Sequence, residues 1–205
     1  ASGNIRFTPD LPKRQLDAAT KLSLGSYDRI ALWLPKNPLG LGPNETMIEQ
    51  SRDGKTALLL ANTNGSSLCT IDVAGDFGRA LSAQGEGAMI AFATEWLTTL
   101  FGSDVAAAVK RSAATRWNAM PHVLGAMSAA EPGGQPSRRV LMEPLGAMVF
   151  AGEAAHETLW GTVDGAWESG ERAADAVLRK IGAIRDAEPV VPRKKSRSRR
   201  RHLRP

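Results

Sequence analysis

The sequence predicts an α+β fold, on three observations. Between Tyr27 and Val73, short apolar and β-branched runs alternate with turns rich in Pro, Gly and Asn, the pattern of an antiparallel sheet. From Asp76 the period changes. Met89, Phe92, Ala93, Trp96 and Leu100 recur at i, i+3, i+4, i+7 and i+11, which is one face of a helix. Residues 162–182 then hold helical spacing for five turns. The 205 residues suit one large domain or two small ones, and an apolar content of 42% is enough for a core. This composition excludes the collagen-like, disulfide-scaffold and fully disordered classes.

Asn4 to Thr8 reads as a short extended piece, punctuated by Pro9 and Pro12. Lys13 to Leu22 suits a helix with Leu16, Ala19 and Leu22 near one face, ended by Gly25-Ser26. Tyr27 to Leu34 is a strand stopped by Pro35. Residues 35–46 hold three Pro, two Gly and two Asn and form a loop. Met47 to Gln50 is a short strand, Arg52 to Lys55 a turn, and Thr56 to Ala61 a buried strand. Asn64-Gly65 turns the chain into a further strand, Leu68 to Val73. Ala88 to Phe101 is a helix stopped by Gly102, and Val105 to Lys110 continues helically. Met148 to Ala151 reads as a buried strand running into a turn at Gly152. After Pro189 and Pro192, the Ser/Arg run reads as a disordered tail.

The net charge of +5 belongs to that tail. Residues 193–205 hold eight basic side chains and no acid, and the remaining 18 basic and 21 acidic residues give the body a net of −3. A basic sequence pI is therefore no argument that the body binds nucleic acid. The tail could touch nucleic acid or an anionic surface, but such a run is more often simply solvated. Cys69 is alone, so no intrachain disulfide forms, which fits a reducing, cytoplasmic setting. No apolar run reaches the 18 residues of a transmembrane helix. The N-terminus is no signal peptide. It lacks Met and opens within an element, as expected of a processed product or a fragment. His122 and His156 read as structural or exposed, although His156 could line a pocket. Glu153 and Glu157 do not form a metal site with His156, because their spacing does not bring three ligands to one point.

The chemistry concentrates in residues 150–174. An apolar strand ends at Gly152, Glu153 follows at once, and seven residues separate that acid from Gly161. Thr162 is placed as the N-cap or first-turn residue of a long helix. Its apolar or small face comprises Val163, Ala166, Trp167, Gly170, Ala173, Ala174, Val177, Leu178 and Ile181. Gly165 and Gly170 would let another backbone approach. The amides at Gly161 to Val163, with the positive end of the helix dipole behind them, suit an anion or an electron-rich oxygen. On physics alone, tight packing is the commoner meaning of such a small-residue face.

Phe150-Ala151-Gly152-Glu153-Ala154 and Gly161-Thr162-Val163-Asp164-Gly165-Ala166-Trp167-Glu168-Ser169-Gly170-Glu171-Arg172-Ala173-Ala174 resemble the C-terminal signature of the flavin-containing amine oxidases. That group includes monoamine, polyamine and L-amino-acid oxidases and the lysine-specific histone demethylases. Four further blocks agree in order: Asn4 to Pro12, Leu24 to Ile30, Thr115-Arg116-Trp117 (a strand in the family) and Gly125 to Gly134. The resemblance spans roughly residues 4–182.

The resemblance implies the C-terminal portion of a two-domain flavin amine oxidase fold. Residues 1–9 would end an FAD-domain segment, and 10–112 would be substrate domain with a mixed sheet. Residues 113–185 would be an α/β FAD-binding segment, and 186–205 a disordered basic tail. FAD would be held non-covalently. Gly152 and Glu153 would meet its ribityl or phosphate portion, Gly161, Thr162 and Val163 would bring amides to the ring, and Trp117 would pack at the ring edge. Met127, Trp160 and Thr162 would face the substrate. The reaction implied is hydride removal from a C–N bond of a small amine or amino acid, giving an imine, with O2 reoxidising the flavin. Arg29 stands where many members keep a catalytic Lys, and Arg is a poor proton relay. Met127 stands where many keep a Tyr. No Gly-x-Gly-x-x-Gly follows a strand and opens a helix, so the ADP half of FAD needs an N-terminal FAD-binding polypeptide as partner. A non-catalytic remnant, a basic-tail binding module and a desaturase-like flavin enzyme remain alternatives.

Overall fold

A computed structural model of the chain describes residues 5–49 and 54–184. The expected turn around residues 52–53 and the expected basic tail lie outside the described residues. The elements run α1 Lys13–Thr20, β1 Leu22–Leu24, β2 Tyr27–Trp33, β3 Thr46–Ile48, β4 Leu58–Leu60, β5 Leu68–Ala74, α2 Gly75–Ala83, α3 Glu86–Phe101, α4 Asp104–Ala108, β6 Arg111–Ala114, β7 Ser128–Ala130, α5 Ser137–Met142 and α6 Val163–Lys180. Short 3-10 turns sit at Thr63–Gly65, Trp117–Ala119 and Glu153–Ala155. The α+β class stands.

Five strands pair in the order β3-β4-β5-β2-β6, and β1 pairs β7 in a separate ribbon. Each pairing is antiparallel, so among the described residues the larger sheet is antiparallel rather than mixed. Strand β2 is central, with Ile30 opposite Ile71 and Leu32 opposite Cys69 on β5, and Ile30 opposite Ala114 on β6. Alternation sends Asp28, Ile30 and Leu32 to one face, where all three are buried. Helices α2 and α3 cover that face, and Ile30, Leu32, Leu59, Ile71, Val73, Met89, Ala93 and Leu97 form the core. Phe77 of α2 meets Phe92 of α3 edge-on at 5.0 Å between centroids. Gly78 permits the close approach of α2, since a Cβ there would lie 2.9 Å from the carbonyl carbon of Val73.

A second packing unit joins distant sequence. Helix α1 rests on α5, Leu22 and Leu24 pair with Ala130 and Ser128, and the Lys21 carbonyl accepts the Glu131 amide. Arg14 of α1 forms an exposed ion pair with Glu143. The guanidinium holds that carboxyl below the usual carboxylate range.

Three local expectations are corrected. Helix α1 ends at Thr20, because Leu22–Leu24 is drawn into the β7 ribbon, and it buries Gln15 and Ala18 rather than Leu16. Residues 148–151 form no strand and are not buried. Met148 has only an isolated bridge to Leu145, and no neighbouring strand among the described residues continues it. The strand expected at Thr115–Trp117 stops at Ala114, because Asp28 draws the Thr115 hydroxyl and the Trp117 amide into a turn.

Ile71→Ala empties a fully buried site and is expected to cost about 2–5 kcal/mol. Ile48→Thr, at a side chain 69% exposed, should change stability by no more than about 0.5 kcal/mol. Urea unfolding of both variants checks the pair. Burial pushes the Cys69 thiol up. At about pH 8 the native chain should resist iodoacetamide and react only on unfolding, as read by mass spectrometry.

Candidate functional site

Residues 150–162 carry no helix beyond one 3-10 turn and no strand, and side chains satisfy their backbone. Thr162 N-caps α6: its Oγ1 accepts the Gly165 amide at 3.0 Å and donates to the Leu159 carbonyl at 2.6 Å. Ser169 Oγ accepts the Gly152 amide at 2.7 Å. Arg172 donates to the carbonyls of Ala155 at 2.9 Å and Phe150 at 3.3 Å. His156 Nδ1 accepts the amides of Leu159 at 2.9 Å and Thr158 at 3.3 Å. The proton therefore sits on Nε2, 2.9 Å from Glu168 Oε2. A Cβ on Gly165 would lie 2.0 Å from the Leu159 carbonyl oxygen, so only glycine lets this loop fold onto the first turn of α6.

Glu153 gathers three donors. Its Oε1 accepts the Ser128 amide at 2.8 Å, and its Oε2 accepts the Ser128 hydroxyl at 2.8 Å and the Gly161 amide at 2.7 Å. Beyond Ser128 lies the fully buried guanidinium of Arg138, which donates to Ser128 Oγ at 2.6 Å. Burial lowers the Arg138 pKa, against the Glu153 charge, which raises it. Met127 sits against Gly161, and Trp160 lies with its ring centroid 4.9 Å from the Arg138 guanidinium carbon. The structure thus brings together Gly152, Glu153, Gly161, Thr162, Val163, Met127 and Trp160.

Of the apolar stripe expected to bury α6, only Ala173 is buried. Val163 is 85% exposed, Trp167 72% and Ile181 69%. The face that packs is Gly165, Ser169 and Ala173, because the loop of residues 150–162 needs the Ser169 and Arg172 side chains. Gly170 meets nothing within 4 Å, so no backbone approaches there among the described residues.

Arg29 and Trp117 lie at the larger sheet. Arg29 grips Asp72 of β5 with Nε at 2.6 Å and Nη2 at 2.7 Å, and the Tyr27 hydroxyl donates to the same carboxylate. Asp72 raises the Arg29 pKa further, and burial pushes the Tyr27 phenol up. On the opposite face of β2, buried Asp28 accepts the Thr115 hydroxyl at 3.0 Å, the Trp117 amide at 2.9 Å and the Asn118 side-chain amide at 3.1 Å. Residues 24–28 tie the two groups together, since Gly25 also exchanges backbone hydrogen bonds with Ala126 and Met127. Among the described residues no group of three His, Cys, Asp or Glu could hold a metal ion.

The family model described as "Flavin containing amine oxidoreductase" matches residues 1–178. This chain belongs to that family. It is 27% identical to "Histone demethylase-like protein A" of Aspergillus fumigatus over 93% of the chain and 19% of that protein. It is also 27% identical to "Amine oxidase [flavin-containing] B" of Cavia porcellus, over 94% of the chain and 38% of that protein. The chain therefore spans well under half the length of these relatives. Its fold is similar to a solved cyclohexylamine oxidase from Brevibacterium oxydans IH-35A, at a TM-score of 0.64 and 21% identity, covering 87% of this chain and 40% of that one.

The residues around the start of α6 are compatible with a flavin. The first-turn amides of α6 have no carbonyl four residues back within the helix, and Val163, Trp160 and Met127 are exposed apolar side chains there, whereas Trp117 is exposed at the larger sheet. Sequence reasoning missed Arg138, Tyr27 and Asp72, and gave Ser128, Ser169 and Arg172 no role. A signal existed for Asp28, which strand alternation places on the Ile30–Leu32 face. None existed for Arg138, since Arg138-Arg139 looks like a surface pair.

Gly165→Ala should destabilise the chain by about 2–3 kcal/mol or more, because backbone must move to admit the methyl group. Gly170→Ala, in open space on the same helix, should be neutral or stabilise by about 0.5–1 kcal/mol. Thermal unfolding followed by circular dichroism separates the two.

Proposed function

We propose that this chain forms the substrate-side sheet and the C-terminal flavin cradle of an FAD-dependent amine or amino-acid oxidoreductase. The cofactor would be bound non-covalently and shared with a dinucleotide-binding polypeptide outside this chain, in the cytoplasm. The observation that carries the reading is the loop of residues 152–162. It is braced by side chains of α6 and by Glu153, yet beside it lie the capped N-terminus of α6 and exposed apolar side chains.

When bound, FAD would supply the two-electron oxidation of a substrate C–N bond to an imine, with O2 as the final electron acceptor. The chain's own residues prepare the surroundings. The N-terminus of α6, capped by Thr162, would hold an electron-rich part of the cofactor with the positive end of its dipole. Glu153 holds Gly161 and Ser128 in place. Trp160, Met127 and Trp117 supply apolar surface that would exclude water. Arg29 provides a permanent positive charge rather than a proton relay, and Asp72 and Tyr27 fix its direction.

Co-expression with an upstream FAD-binding polypeptide and purification through a tag on this chain tests the reading. A yellow complex, bleached anaerobically by an amine or amino acid, is the expected result. A colourless chain that recruits neither partner nor FAD would overturn it. In that complex Arg29→Met should slow turnover about tenfold or more, because a preorganised charge is lost.

A further inference from the structure

Arg138 is buried without a carboxylate in direct contact, an arrangement that costs free energy unless its donors are met. They are met by the loops around it. Nε donates to Gln135 Oε1 at 3.1 Å, Nη1 to Ser128 Oγ at 2.6 Å and to the Ala154 carbonyl at 3.2 Å, and Nη2 to the Ser128 carbonyl at 3.2 Å. The Ser128 hydroxyl, having accepted from Arg138, donates to Glu153, which accepts the Gly161 amide. The Arg138 and Ser128 donors run from cation to carboxylate, and the Gly161 amide meets that carboxylate from the loop side. The guanidinium carbon lies over the Trp160 ring, 4.9 Å from its centroid. Neighbouring Arg139 is an internal contrast, exposed and paired with Glu157 at 2.8 Å.

We propose that Arg138 is a positioning residue for residues 152–162: through Ser128 it orients Glu153, and through its face it fixes Trp160, so that the loop holds one arrangement before any ligand binds. A guanidinium suits this task because its planar fork serves several acceptors while its face stays open to an indole. An ammonium can do only part of it. The consequence for flavin binding rests on the reading above; the positioning itself does not.

Hydrogen exchange on the full chain tests the positioning. In Arg138→Lys, the amides of Ser128 and Gly161 should exchange about tenfold faster, while those of the β2–β5 ladder and of Arg139→Gln keep wild-type rates. Wild-type exchange at Ser128 and Gly161 would overturn the proposal. If Arg138→Lys also loosens the ladder, Ser128→Ala decides, since it cuts the relay and leaves Arg138 in place. Faster exchange at Gly161 alone supports the proposal, and no change overturns it.

The second arm titrates FAD into the flavin-stripped complex. Arg138→Lys and Glu153→Gln should each weaken binding about tenfold, and the double variant should lose clearly less than the sum of the two losses, because they share the Glu153 route. Additive losses would mean that Arg138 does not act through Glu153. A wild-type complex that binds no FAD would sink the flavin reading and leave the exchange result to decide the positioning.

Discussion

A backbone that leaves helix and sheet must still satisfy its amides and carbonyls, and residues 150–162 do so largely with side chains, beside the 3-10 bonds from Ala155 to Gly152 and from His156 to Glu153. Ser169 takes the amide of Gly152, Arg172 the carbonyls of Phe150 and Ala155, and Glu153 the amide of Gly161. His156 takes the amides of Thr158 and Leu159. Helix α6 is the main brace of this loop. Its Ser169 and Arg172 lie on the loop side, and Gly165 removes the one side chain that would keep the two apart. The Gly-Glu and Ser-Gly-x-Arg pieces of the sequence are thus two halves of one hydrogen-bonded unit.

That demand explains what could and could not be read from the residues. Strands β2 and β5, helix α3 and the start of α6 follow from alternation, helical period and the Thr162 cap, since these depend on neighbours in sequence. The buried face of α6 did not follow. Apolar spacing pointed to Val163, Trp167 and Ile181, but the loop claims the polar and small side, and no property of the helix alone announces that. Met148 to Ala151 failed as a strand for a related reason. A strand needs a partner ladder, and apolar composition says nothing about whether one lies beside it.

Arg138 and Asp28 are two buried charges on which the candidate site leans, and among the described residues each is met by neutral donors or acceptors rather than by a direct counter-ion. Asp28 fixes the Trp117 turn and Arg138 the Glu153 loop. Both act on backbone far away in sequence, so their roles become visible only once the chain is folded. The segment between β1 and β2 links them, because Gly25 engages Ala126 and Met127 three residues before Asp28 engages Trp117.

Strand β2 places Asp28 and Arg29 side by side in sequence and on opposite faces of one sheet. A single inserted or deleted codon ahead of this pair would exchange the two faces: the carboxylate would leave its buried donors and the guanidinium would enter the core. Drift in length is therefore barred from β2, whereas the loop of residues 35–46, which carries no paired strand before Thr46, can change length without exchanging two faces, provided Leu39 stays in the core and the Asn62 amide keeps its acceptors. Alignments of relatives should show gaps crowding into that loop and vanishing at Tyr27–Trp33.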